Sequence, residues 1–239
     1  MTNNSTIKVR YDFEYTTEGR WNANSEKRAS FQGISWPDVV IAEFPRDADW
    51  GALKQAKHAS KLHTLIFSRS DVTDGHMRLV GAIPSLRRLF LSETQVTDVG
   101  IEALSGLTEL QRLVLTGTRI SDHAVAIMQN FSSLESLVLN DTNITNVGLE
   151  ALSGLRELRL LWLDGTKITD EGLRSIVTLP KLGRLHLNRT SISDNGAQFL
   201  LQMNGLRKLH LAETSVSETM LARLRANANL TVWAGERLH

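Results

Sequence analysis

The segment LESLVLNDTNITNVGLEALSGLRE, residues 134–157, carries the pattern that decides the fold. Its apolar positions are Leu134, Leu137, Leu139, Ile144, Leu149, Leu152 and Leu155. Leucine recurs every 24 residues on both sides of it, at positions 62, 86, 110, 158, 182, 206 and 230. An internal period of this length indicates a repeat architecture, in which units that cannot fold alone stack on one another.

The residue pattern within each unit predicts a strand, a turn and a short helix. Leu137-Val138-Leu139 alternates with the period of two that is typical of a strand. Thr142 follows, and its hydroxyl is placed to satisfy backbone groups where the chain leaves the strand. The Asp, Asn or Glu in the slot of Asn146 predicts a helix N-cap. Gly148, in the first helical turn, predicts close packing of the helix on the strand.

This unit resembles the leucine-rich repeat family, through the order Leu134-x-x-Leu137-x-Leu139-x-x-Thr142-x-Ile144-Thr145-Asn146-x-Gly148-Leu149-x-x-Leu152. The Ile-Thr-Asp-x-Gly-Leu string at residues 168–173 is similar to the 24-residue variant common in bacterial repeat proteins. A related variant occurs in substrate receptors of eukaryotic ubiquitin ligases. The resemblance covers residues 62–234 and departs from the commonest pattern by using Thr where Asn or Cys usually follows the strand.

The resemblance implies an α/β leucine-rich repeat solenoid, which is a right-handed superhelix with a curved parallel sheet inside and short helices outside. We expect an N-terminal β-rich cap at residues 1–37 and a degenerate capping repeat at 38–61, with Ile41 in the second leucine slot. Seven repeats then span residues 62–229, and an abortive C-terminal repeat spans 230–239. Family membership implies a binding scaffold without naming its ligand.

The two ends of the chain leave alternatives open. Residues 7–15 alternate as a half-buried strand, and further strands are expected near Arg20-Trp21 and Ala29-Ser30-Phe31. This segment is either a cap that covers the apolar end of the solenoid or a small domain that recruits a partner. At the other end, either Trp233 and Leu238 close the solenoid or its open edge pairs with another chain.

Composition excludes several classes of function. The 239 residues carry a formal net charge of +1, so no global field attracts nucleic acid or an anionic membrane. The chain has no cysteine, which excludes disulfides, thiolate metal sites and a cysteine nucleophile. No apolar stretch has the length of a signal peptide or a membrane span. We expect a cytoplasmic protein that needs no cofactor.

The mid-strand slot provides the candidate binding site. It runs through Ile66, Phe90, Val114, Val138, Trp162, His186, His210 and Ala234. The resemblance implies that side chains between the strand leucines point to the concave face, where a large apolar row indicates an interaction site. We predict a protein partner bound by Phe90, Val114, Val138, Trp162, His186 and His210, with Arg88, Arg112 and Arg184 as the polar rim. The alternative is that the chain itself covers this row.

Catalytic and metal chemistry is not expected. His186 and His210 occupy equal slots on neighbouring strands, and Asp164 lies nearby, but a third metal ligand is not well placed, so we interpret them as surface residues of the binding row. Ser and Asp recur in every unit and therefore have turn and cap roles rather than forming one special triad. The sequence favours a non-enzymatic, monomeric protein-binding scaffold. The alternatives are a nucleic-acid-binding solenoid that uses the arginines of the concave face and a substrate-recognition subunit of a larger enzyme complex.

Overall fold

The fold is a single row of parallel strands alternating with short helices. The computed structural model describes residues 7–10, 14–15, 21–22, 26–29, 39–46, 48 and 50–235, the first four ranges as backbone. The strands are β1 Ile7–Arg10, β2 Glu14–Tyr15, β3 Trp21–Asn22, β4 Glu26–Ala29, β5 Ile41–Glu43, β6 Thr64–Ile66, β7 Arg88–Phe90, β8 Arg112–Val114, β9 Ser136–Val138, β10 Leu160–Trp162, β11 Arg184–His186, β12 Lys208–His210 and β13 Thr231–Trp233. The helices are α1 Gly51–Ala56, α2 Asp74–Val80, α3 Asp98–Glu102, α4 Asp122–Met128, α5 Asn146–Leu152, α6 Asp170–Ile176, α7 Asp194–Leu200 and α8 Glu218–Arg225.

Strands β5 to β13 pair in parallel in chain order, and this gives the sheet of a leucine-rich repeat solenoid. From β6 to β12 the register advances by 24 residues at each step, as when Leu137 pairs with Leu161. The predicted solenoid and its repeat spacing are confirmed in this region. β1 pairs antiparallel with both β5 and β4, so the N-terminal strands extend the same sheet beyond its first parallel strand. Of the strand expected at Ala29-Ser30-Phe31, only Ala29 is among the described residues, at the end of β4. Leu238 also lies outside the described residues.

Both terminal units are one residue shorter than the repeat. Leu65 pairs with Ala42, so the predicted place of Ile41 in the second leucine slot is wrong by one residue. The shift buries Phe44 in the third slot, where the fixed spacing had put Glu43. At the other end Leu209 pairs with Val232, and His210 therefore faces Trp233 instead of the predicted Ala234.

The leucine slots form one continuous core. In the unit of residues 134–157 the exposed fraction of every apolar slot is 0% or 1%. A strand presents alternate residues to opposite faces, so the middle residue of each three-residue strand points to the helices and the outer two point away from them. At the N-terminal end Trp50 is the N-cap residue of α1, but its side chain makes no cap hydrogen bond and packs on Phe44, Phe67 and His76.

A turn with a left-handed residue ends each strand. In the repeats from β6 to β12, the residue before the Ser or Thr that follows the strand has φ between 54° and 66°. These residues are Arg69, Glu93, Gly117, Asp141, Gly165, Arg189 and Glu213. The Thr hydroxyl then donates to the carbonyl three residues earlier, at 2.6 Å for Thr142 and Leu139. The predicted role of this hydroxyl is confirmed from Thr94 to Thr214. Ser70 differs, because its buried hydroxyl has no hydrogen-bond partner among the described residues.

The predicted helix caps are wrong by one residue. The N-cap of α5 is Thr145, and the N-caps of the other helices from α2 to α8 are likewise Ser or Thr. The acidic residue in the first helical position instead bonds to the next repeat. Asp122 accepts from the backbone N–H of Thr145 at 2.8 Å and from its hydroxyl at 2.6 Å. Equivalent pairs join Asp74 to Thr97, Asp98 to Ser121, Asp170 to Ser193 and Asp194 to Ser217.

The glycines in the first helical turn make room for these hydrogen bonds between repeats, here called the inter-repeat ladder. A Cβ on Gly148 would lie 2.5 Å from Oδ1 of Asp122, and Gly100 has the same relation to Asp74. The prediction that these glycines allow packing on the strand is therefore wrong, since the close neighbour is the carboxylate of the preceding repeat.

Replacing Thr142 with Val should lower the free energy of unfolding by about 1–3 kcal/mol, because a buried carbonyl loses its donor while side-chain volume is kept. Ser70→Ala is the matched control, since its hydroxyl has no described partner to lose, and it should leave stability nearly unchanged. Urea titrations followed by circular dichroism measure both. Equal losses in the two variants would contradict the assignment of the Thr hydroxyl.

Gly165→Ala should destabilise the fold by about 1–2 kcal/mol, because an L-residue is strained at positive φ. The new Cβ would also overlap the Asp141 carboxylate. Gly106→Ala is the control, since a Cβ there meets no atom within 4 Å. The same urea titration separates them, and a Gly165→Ala variant as stable as Gly106→Ala would refute the argument.

Stability should fall at acidic pH partly through Asp194. The hydroxyl and the backbone N–H of Ser217 donate to this carboxylate and lower its pKa in the folded chain. A lowered folded pKa stabilises the fold above the unfolded value of about 3.9, and that stabilisation is lost as pH falls through this range. Asp194→Asn should therefore lose less stability between pH 6 and pH 3 than the unsubstituted chain. Identical pH dependence in urea titrations of the two proteins would count against the ladder.

Candidate functional site

The face of the sheet opposite the helices, here called the open sheet face, carries two rows of side chains in register. The central row, from the last residue of each strand, is Ile66, Phe90, Val114, Val138, Trp162, His186, His210 and Trp233. The amino-end row, from the first residue of each strand, is Thr64, Arg88, Arg112, Ser136, Leu160, Arg184, Lys208 and Thr231. All nine predicted site residues lie in these two rows.

The middle of the central row is a cavity rather than a flat ribbon. Val138 is only 6% exposed, and Leu160 beside it is 9% exposed, whereas Phe90, Val114 and Trp162 are half-buried. A cavity of about 270 Å³ is lined by Phe90, Arg112, Val114, Thr116, Ser136, Val138, Leu160 and Trp162. Phe90 and Trp162 flank two shorter side chains, Val114 and Val138, and this difference in size creates the depression. Val138 is the more deeply buried of the two valines. Val138 is therefore its floor.

Leu160 is a lining residue that the sequence argument missed. The prediction named only the arginines of the amino-end row, although Leu160 is the one large apolar residue in that row. That apolar exception was the available signal, because its neighbour in register, Ser136, is short enough to leave space beside it.

Four rings of the central row stack face to face. The ring centroids are 4.4 Å apart for Trp162 and His186, 3.8 Å for His186 and His210, and 4.4 Å for His210 and Trp233. The interplanar angles are 14°, 29° and 18°. Parallel strands about 4.8 Å apart place equal slots at nearly stacking distance, so planar side chains in one row lie on each other.

The stack changes the acid–base behaviour of His210. Burial lowers the pKa of His210, and the charges of His186 and Lys208 lower it further, against an opposing effect of Asp164. His186 Nδ1 lies 3.7 Å from Oδ2 of Asp164, and both side chains are more than four-fifths buried. His210 is therefore neutral at physiological pH and packs as a polar aromatic ring.

The stacking geometry does not suit a metal site. Imidazole lone pairs lie in the ring plane, so two stacked rings direct them side by side instead of toward one point. Within the described residues, no three His, Asp or Glu side chains lie close enough to hold a metal ion. Asp164 has another role, because its Oδ1 accepts from the backbone N–H of Asn188 at 2.7 Å. Asn140 and Asn188 bond to the next strand in the same way.

A basic groove runs beside the ring stack at the amino-end row. Its volume is about 510 Å³, and its lining is Arg112, Glu135, Ser136, Arg159, Leu160, Lys181, Gly183, Arg184, Gly205, Arg207 and Lys208. A smaller hollow of about 130 Å³ continues it past Arg88, Gln111, Arg112, Glu135 and Ser136. The predicted rim residues therefore divide: Arg184 lines the groove, Arg88 lines the hollow, and Arg112 reaches both as well as the apolar cavity.

A larger hollow lies elsewhere, between α2 and α3 on the helical side. It measures about 780 Å³, and none of the predicted site residues lines it. None of the helices in the described part of the chain combines the length and the apolar character needed to span a membrane.

Comparisons with known proteins agree with the repeat. Two family models described as leucine rich repeat match residues 108–168 and 82–105. No curated protein matches the chain. Among solved structures, internalin C2 of Listeria monocytogenes is similar with a TM-score of 0.68 and 24% identity, over 87% of this chain and 85% of its own.

Two further solved structures share the fold at lower coverage. An internalin (inlF) of Listeria monocytogenes has a TM-score of 0.58 and 20% identity, over 77% of this chain and 57% of its own. A leucine-rich repeat protein of Leptospira interrogans has a TM-score of 0.59 and 21% identity, over 75% of this chain and 44% of its own. This chain thus spans less than two thirds of either protein. The matched family models and the shared solenoid fold support a leucine-rich repeat protein.

Proposed function

We propose that this chain is a non-enzymatic protein-interaction scaffold that binds a partner protein on its open sheet face. Leucine-rich repeat domains are in general binding scaffolds, and stacked repeats provide the extended surface that such binding uses. The observation that carries the proposal is the apolar cavity over Val138, between Phe90 and Trp162. Phe90, Val114, Val138, Trp162, His186, His210, Arg88, Arg112 and Arg184 remain the proposed contact residues, with Leu160 added.

The size of the cavity supports an anchoring role. At about 270 Å³ it is at or below the lower end of small-molecule sites, which measure roughly 300–1,000 Å³. It therefore suits one large apolar side chain of a partner. Fully burying such a side chain contributes about 1.5–3 kcal/mol, which is the scale of a binding hot spot.

The chemistry of the lining also favours contact over catalysis. It consists of apolar side chains, the hydroxyls of Thr116 and Ser136, and one guanidinium from Arg112. Arg112 Nε donates to Ser136 Oγ at 3.2 Å, which holds the guanidinium at the polar rim. An apolar centre with an arginine-containing rim matches the usual composition of protein interfaces. General acid–base catalysis needs a group that exchanges protons near neutral pH, and hydroxyls and guanidinium are poorly suited to this.

The remaining sequence-based expectations belong to the same proposal. We propose that residues 1–37 cap the solenoid, 38–61 form the degenerate capping repeat, 62–229 form the repeats and 230–239 form the abortive last unit. The pairing of β1 with β5 supports the cap, because it covers an edge of the parallel sheet that would otherwise be open to another chain. We also propose that the protein is monomeric and cytoplasmic.

Site-specific photo-cross-linking tests the binding face. The photoreactive residue p-benzoylphenylalanine, which resembles Phe, replaces Phe90 in one variant and Val147 in the control. Val147 lies on α5, is 65% exposed and faces the opposite side. Irradiation in native lysate should give a covalent protein adduct from position 90 and none from position 147.

Once the adduct is identified, Phe90→Ala should weaken binding of that partner about 30-fold, which corresponds to a hot-spot loss of about 2 kcal/mol. Val147→Ala should leave the dissociation constant unchanged. Circular dichroism of both variants controls for folding. Adducts from position 147 alone, or an unchanged affinity in a folded Phe90→Ala variant, would refute the proposed face.

A further inference from the structure

The faces of the inner rings of the stack are already covered by their neighbours in the row. Each inner ring has a neighbour on both sides at 3.8 or 4.4 Å. At the end of the row, Lys208 Nζ lies over the Trp233 ring, 6.0 Å from its centroid. Aromatic rings carry positive potential at their edges, and imidazole edges add N–H donors. The stack therefore provides few free faces for stacking bases.

The groove beside the stack has an uncompensated positive charge. Six of its lining residues are Lys or Arg, and one, Glu135, is acidic. Carboxylates of the chain partner two of the six, since Arg159 lies 3.7 Å from Glu135 and Lys181 lies 2.6 Å from Glu157. Arg112, Arg184, Arg207 and Lys208 have no carboxylate within ion-pair distance among the described residues. In a chain of net charge +1 this excess is a local feature.

Like charges in the amino-end row lower the stability of the fold, and another slot of the repeat avoids this repulsion. In the strand-exit turn, neighbouring repeats carry opposite charges, as at Arg69 and Glu93, whose side chains are 3.0 Å apart. In the amino-end row, Arg184 instead pairs in register with Lys208, and Arg88 with Arg112. Like charges directly opposite each other on a sheet are destabilising. Binding of an oppositely charged group would offset this repulsion.

The groove and the apolar cavity form one continuous surface. Arg112, Ser136 and Leu160 line both of them. The central row lies two residues after the amino-end row on each strand, which is about 6.6 Å at 3.3 Å per residue. Same-face side chains of an extended peptide have this spacing too. One peptide can therefore place an apolar side chain in the cavity and a second side chain, two residues away, in the groove.

We infer that the partner segment is an acidic peptide, with a large apolar side chain in the cavity and Asp or Glu side chains in the basic groove. Arg184 and Arg207 are suited to bidentate bonds with those carboxylates, and Lys208 supplies a third cation. This inference rests on the proposed function and specifies the chemistry of its partner. A nucleic acid is the less favoured ligand, because the ring faces are covered and Glu135 interrupts the cationic track.

The test is selection from a random peptide library displayed on the surface of a phage, with the full chain as bait. Peptides that bind should be enriched in Phe, Trp or Leu with Asp or Glu two residues away. Arg184→Glu/Lys208→Glu should lose the preference for acidic residues. Arg78→Glu/Arg119→Glu is the control, since it changes net charge equally at exposed residues outside the groove lining, and should keep the preference.

Synthetic versions of the selected peptides then measure the charge contribution by fluorescence anisotropy. Changing Glu to Gln in the peptide should raise the dissociation constant about tenfold or more, and added salt should reduce the difference. Enrichment of apolar residues without acidic ones would overturn the inference and leave the proposed function standing. Failure to select any peptide would overturn the inference, and tight salt-dependent binding of oligo-dT in its place would overturn both.

Discussion

In-register pairing of parallel strands is the constraint on which the rest of this structure depends. Backbone hydrogen bonds between the strands of successive repeats place each strand side chain beside the residue in the same slot of the next repeat, about 4.8 Å away. A slot therefore favours residues that pack well against the residue in the same slot of the next repeat. Leucine does so in the core, where Leu137 and Leu161 pair and both are fully buried. The solenoid follows from repeating that condition.

Polar slots meet the same constraint by bonding along the row. A carboxylate such as Asp122 satisfies the N-cap residue of the following helix, so each helix start depends on the repeat before it. In the strand-exit turn, Gly165 allows Asp141 and Arg189 to reach each other across an intervening repeat, at 2.9 Å. These links couple a repeat to the next one or two repeats only. Stability is therefore distributed along the chain, as expected for a one-dimensional array of repeats.

The 24-residue period was enough to predict which side chains share a row. It was not enough to predict hydrogen bonds between different repeats. The fixed spacing placed Phe90, Val138 and Trp162 in one row correctly, since strand register alone decides this. It assigned Asp122 to cap its own helix, because local patterns contain no information on which repeat receives the bond. The cavity depends on differences in size between neighbouring residues, and a comparison of Ser136 with Leu160 would have been needed to see it.

The ends show why spacing fails where a repeat has a neighbour on one side only. A continued period of 24 residues would have set Ala234 beside His210, leaving one face of the imidazole open to water. Shortening the last unit by one residue sets Trp233 there, at a centroid distance of 4.4 Å. The indole, itself 41% exposed, buries the imidazole face, and burial is the main cause of the lowered pKa of His210. The same residue therefore ends the row and favours the neutral form of His210, so that the positive potential beside it comes from Arg184, Arg207 and Lys208.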